Sequence, residues 1–217
     1  MSRGSLALRL SGFGGAMALA LAAFSVPAMA SITITQSGVA APTYTTTLNF
    51  DEPGGPTGND VPANAWAASH NITSVVSGAG ANSVNDNSAS TGQGTNSYWG
   101  PFGVFINFGQ DLTAMSLQAW DNSGSPTPFG GGAAMVALND GLEVGFLFVT
   151  PAFGGVGQSW YDITTTGGSV FDEVRFLGFG FAPNSYVDNL SWNAVPEPTS
   201  LSLLALGAIG VLARRRR

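Results

Sequence analysis

The stretch "AAMVALNDGLEVGFLFVT", residues 133–150, is two apolar runs joined by Asn139-Asp140-Gly141. Such a triplet supplies the positive φ angles that a tight hairpin needs. In the second run Leu142, Val144, Phe146 and Phe148 recur at every second position. Side chains two apart share a face in a strand, whereas a helix would scatter them around its axis. The stretch therefore predicts a β-hairpin, with those four residues on one side.

Working outward, the same period of two returns in "SITITQS", "TYTTTLNF", "FGVFINF" and "SVFDEVRFLGF". Phe102, Val104, Ile106 and Phe108 are expected to share a face. The segment carrying Met115, Leu117, Ala119 and Trp120 ends at Asp121-Asn122-Ser123-Gly124, a second turn signal. About nine or ten strands follow from β-branched and aromatic alternation, with no convincing helix between Ser31 and Val195. Many short antiparallel strands predict an all-β fold, a single antiparallel β-sandwich that is jelly-roll-like. Two stretches read as long loops, Asp51 to Asn64 and Ser77 to Ser97; a loop of the second one's length is unusual inside a compact domain.

The two ends differ in kind from this body. Arg3 and Arg9 precede an apolar run, then Pro27 and small residues at Ala28 and Ala30. That order predicts a signal peptide over residues 1–30, cleaved after Ala30. Residues 31–194 form the predicted β-sandwich domain, and residues 195–217 a separate address. The closing segment runs Pro196-Glu197-Pro198, then thirteen mostly apolar residues from Leu201, then Arg214, Arg215, Arg216 and Arg217. An apolar segment of this length is marginal for a transmembrane helix, which usually needs about 20 residues. The arginines form a cytoplasmic stop by the positive-inside bias.

Charge is segregated in the same way. Six of the seven arginines lie in the terminal segments and there is no lysine. From Ser31 to Glu197, Arg175 alone faces thirteen acidic residues, a formal charge near −12. Such a body has no basic patch with which to displace counterions from a phosphate backbone, which excludes nucleic acid as a partner. The chain has no cysteine, which excludes thiol chemistry and disulfides. Membrane contact is confined to the C-terminal helix before processing.

The tripartite ending resembles the PEP-CTERM sorting signal, in order and in spacing. The resemblance implies recognition by an exosortase, a membrane protease of Gram-negative bacteria that cuts near the motif, and an association with extracellular polysaccharide. It implies an exported protein, first anchored in the inner membrane and then at the cell surface or extracellular. The stretch from Trp160-Tyr161 through "FDEVRF" (residues 171–176) to "VDNL" (residues 187–190) is similar to the closing strands of the jelly-roll domain found in many proteins carrying that signal.

Catalytic chemistry has few candidates. His70 is the one histidine, and no G-x-S-x-G elbow exists to place a serine beside it. The expected function is a non-catalytic polysaccharide-associated or matrix protein, with no catalytic residues. Its glycan-binding candidates are Trp66, Tyr98 and Trp99, which lie beside the long loops where aromatic faces can stay open. The alternative is a secreted glycan-acting hydrolase with paired carboxylates. A structural calcium ion is a further expectation, because carboxylates crowded on an acidic body repel one another unless a cation intervenes. Resemblance to calcium-bearing jelly-roll domains places it at Asp51, Glu52 and Asp188.

Overall fold

The computed structural model describes residues 30–87, 96–121, 132–149, 159–179 and 184–196. The chain is all-β, and every strand pairing is antiparallel. The elements run β1 (Ser31–Ser37), β2 (Thr46–Leu48), β3 (Gly58–Asn59), α1 (Ala67–His70), β4 (Ile72–Ser77), β5 (Ser83–Asp86) and β6 (Asn96–Pro101). Then follow β7 (Val104–Asp121), β8 (Gly132–Asn139), β9 (Leu142–Val149), β10 (Ser159–Thr166), β11 (Phe171–Phe179) and β12 (Asn184–Ala194). The single helical turn α1 is a departure from the expected helix-free body. The stretch read as a loop over 77–97 is another, because β5 lies within it and pairs with β6.

The organising element is β7, an 18-residue strand shared by two layers. Its first half pairs with β4 and β11, giving one layer in the order β4-β7-β11-β8-β9. Its second half pairs with β10 and β12, giving the other layer, β1-β10-β7-β12-β6-β5-β3, with β2 also on β12. The core residues of β7 are even-numbered at Val104, Ile106, Phe108 and Leu112 and odd-numbered at Met115, Leu117 and Ala119, in a half that is buried on both sides. The strand thus changes which face meets the core as it crosses between layers, at the extra residue Thr113, where its pairing with β12 steps from Asn193–Ala114 to Ala194–Leu112. Strands that turn such corners do so through bulges and bends.

The core lies between the two layers, a sandwich-like arrangement in which each layer buries one face. Phe108 meets Trp192 with ring centroids 5.3 Å apart, and Tyr161 meets Phe176 at 5.7 Å, both pairs bridging the layers. Tyr98 donates its hydroxyl to the carbonyl of Val75 across the same gap, so its polar tip is satisfied inside the core.

The hairpin expected at residues 133–150 is β8 and β9, and Asp140 (φ 51°) and Gly141 (φ 76°) carry its turn. Its facing is different from the expectation. Leu142, Val144, Phe146 and Phe148 are all exposed, at 72, 40, 51 and 60 %. Met135 and Ala137 of β8 supply the inward face, opposite Leu147 and Gly145. A bulge between Ala137 and Leu138 shifts the register, which places Leu142 on the opposite side from Phe146 and Phe148. Phe102 likewise leaves the row of Val104, Ile106 and Phe108: it sits in a turn at φ 62° and is exposed.

Burial is also the main cause that raises the Tyr44, Tyr98 and Tyr161 hydroxyl pKa values above the ordinary phenol range. For Tyr44 the hydrogen bond to Asp162 and that carboxylate's charge act in the same direction. Because the folded state favours the neutral phenol, this stabilisation is complete below about pH 10, the unfolded value, and is lost as pH rises toward the folded ones. An alkaline titration followed by phenolate absorbance is expected to show these three of the four tyrosines ionising late, together with loss of β circular dichroism. Ionisation of all four near pH 10 without unfolding would contradict the placement.

Candidate functional site

A concavity lies where the segment after β2 faces a bulge in β12. On β12, Asp188 and Ser191 stand opposite Gln118 and Ser116 of β7, so one extra residue is inserted. Asn189 absorbs it in the left-handed region, at φ 50°, a conformation that asparagine tolerates better than most residues. Its side-chain amide donates to Gln118 Oε1 at 2.8 Å, and its backbone N–H donates to Asp188 Oδ1 at 2.7 Å. Beside it, Ser191 Oγ lies 2.8 Å from Ser116 Oγ and accepts the Tyr44 N–H.

The facing wall is residues 49–53, "NFDEP". Phe50 has φ 60°, an outlier for an aromatic residue. Its buried ring meets Trp66 at 5.2 Å and Tyr98 at 6.1 Å. That burial holds the backbone twisted, so the ring enters the core while Asp51 and Glu52 reach the cleft lining. Glu52 Oε1 accepts the Asn49 N–H at 3.1 Å, and Asp51 Oδ1 accepts the Asn96 N–H at 2.9 Å. Between these walls is a cleft of about 510 Å³ lined also by His70, Trp160, Thr47 and Asn189.

The residues singled out from sequence land in different places. Trp66 and Tyr98 are core residues, 3 and 0 % exposed, so neither offers a ring face to a glycan. The correction follows from Phe50, whose buried ring packs against both, and for Tyr98 also from β5, which lies in the supposed loop beside it. Trp99 is half-buried, opposite Tyr186 on β12, and donates its indole N–H to Asn184 Oδ1 at 3.1 Å. Asp51 and Glu52 reach the cleft, but Asp188 is buried and bonded to the Asn189 backbone. Among the described residues no three His, Asp or Glu side chains are grouped to hold a metal ion. The expected calcium set of Asp51, Glu52 and Asp188 is therefore not assembled. His70 lines the cleft, with Nδ1 at 2.8 Å from Ser69 Oγ. Trp160 and Asn189 were not anticipated as cleft residues. Period-two reading of β10 puts Trp160 on the face opposite Tyr161, and an Asn after a strand Asp is a bulge signal.

At its far end β12 runs into the C-terminal address. Ala194 pairs with Leu112, the Val195 N–H donates to the Asp111 carbonyl at 2.8 Å, and Pro196 is exposed. Residues 194–217 match the PEP-CTERM protein-sorting motif. The motif marks an exported protein that an exosortase recognises, with a membrane-anchored precursor. No curated protein matches the chain. Of the motif, Glu197, Pro198 and Arg214, Arg215, Arg216 and Arg217 lie outside the described residues, as do residues 1–29 of the expected signal peptide and the apolar segment from Leu201. Among the described residues no helix is long and apolar enough to cross a membrane.

Proposed function

We propose that this chain is a non-catalytic matrix protein that associates with extracellular polysaccharide after exosortase sorting to the surface of a Gram-negative bacterium. The body would be a jelly-roll-like carrier for that association. The observation that carries the reading is the sorting motif at residues 194–217, joined directly to the last strand of the sandwich. The cleft supports a binding role over a hydrolytic one. Hydrolysis of a glycoside uses two carboxylates flanking the bond at about 5–10 Å. Here the carboxylates lining the cleft are Asp51 and Glu52, neighbours on one wall.

The test is Glu197→Ala expressed beside an exosortase. Glu197 is the charged residue between the two prolines of the motif, and prolines disfavour helix for the residues around them. The variant is expected to accumulate as precursor in the membrane fraction, while the unaltered chain is shortened and leaves it. Equal shortening at an equal rate would overturn the sorting role of the motif.

A further inference from the structure

Resting on that polysaccharide-binding reading, we propose that the cleft between residues 49–53 and the Asn189 bulge binds uncharged sugar residues and rejects uronate-bearing glycans. The cleft volume, about 510 Å³, lies within the range of about 300–1,000 Å³ common to small-ligand sites. Its lining combines one flat apolar surface, the half-buried Trp160 indole, with hydroxyls of Thr47 and Ser191 and amides of Asn49 and Asn189. A pyranose ring presents the complementary pattern: an apolar C–H face to lie on an indole and a rim of hydroxyls to donate and accept.

The charge of the site decides between classes of glycan. Asp51 and Glu52 bring two carboxylates, and among the described residues no lysine or arginine lines the cleft. Arg175 belongs to the other layer, where it is paired with Glu173 and lies over the Phe105 ring. A uronate in the cleft would face two like charges with no lysine or arginine beside it, and such juxtaposition is a strong basis for rejection. A neutral hydroxyl instead can donate to a carboxylate, which has about four acceptor positions.

The walls are also set before any ligand arrives. Phe50 pins one wall through its buried ring, and the Asn189 bond to Gln118 pins the other. Two non-glycine residues at positive φ, Phe50 and Asn189, thus sit one in each wall. Backbone strain of this kind gathers at binding sites, and a rigid cleft has less ordering entropy to lose on binding.

Affinity electrophoresis of the intact chain in detergent tests this, through native gels containing dextran, hydroxyethylcellulose or alginate. The chain is expected to be slowed by at least one of the two neutral polymers and not by alginate. Trp160→Ala should weaken that retardation about tenfold in apparent Kd. Trp160→Phe, which keeps an aromatic face, should retain most of it and shows that the loss is not misfolding. Retardation by a neutral polymer that survives Trp160→Ala overturns the cleft and leaves the polysaccharide reading standing. Stronger retardation by alginate overturns the charge selection. No retardation by any of the three polymers overturns the polysaccharide reading itself.

Discussion

Trp192→Ala is expected to lower the unfolding free energy by about 3–5 kcal/mol, as removal of a fully buried large aromatic typically does. Trp192 is completely buried, pairs with Met115 through the backbone, and packs its ring on Phe108 of the facing layer. The loss is a large part of the roughly 5–15 kcal/mol that holds a domain of this size. Trp192→Phe should cost less than half as much. Among the described residues the indole N–H has no hydrogen-bond partner, and a buried donor without one is a liability that phenylalanine removes. Urea unfolding of the intact chain in detergent, followed by circular dichroism, measures both. Equal losses for Ala and Phe would show that the indole nitrogen, not the ring volume, matters.

Gly103→Ala is expected to cost about 2–4 kcal/mol, combining backbone strain with overpacking. Gly103 has φ 120°, and a Cβ there would stand 2.7 Å from the Phe176 carbonyl oxygen. The oxygen belongs to backbone and the added carbon is fixed directly to the backbone, so no flexible side chain can move aside to relieve the contact. Gly80→Ala is the matched control: its φ is 87°, and nothing lies within 4 Å of the added carbon. It should show the strain without the collision. If the two substitutions cost the same, the approach of β11 to Gly103 is looser than drawn here.

Much of the strand content was legible because alternation is a local property. Residues 142–148 were readable as a strand from period alone. What covers each side of a strand is not local. Phe146 and Phe148 point outward because Met135 and Ala137, on the facing strand, already supply the inward side, and a bulge shifts the register between them. Trp66 and Tyr98 were read as open because they border a polar stretch. The stretch beside Tyr98 contains β5, and Phe50 closes over both rings. The pairing of an early acidic segment with the last strand was nearly readable, since β2 does join β12 and brings Asp51 and Glu52 to Asn189. The miss is one residue wide: the bulge directs Asn189, not Asp188, to the cleft. The sorting motif was legible in full, because its order of prolines, apolar run and arginines needs no tertiary context.

Among the described residues the last backbone hydrogen bond of the sandwich along the chain is made by Val195, one residue before Pro196. Each further residue extends the chain by at most about 3.6 Å, so the motif hangs from the sheet on a very short leash. An exosortase that reads Pro196 to Pro198 on the folded chain must therefore accommodate the rim of the body around Asp111 and Leu112 as well. Steric clearance at that rim then becomes part of what makes the chain a substrate. Lengthening the leash, rather than altering the motif, is the change that would separate recognition of the peptide from tolerance of its cargo.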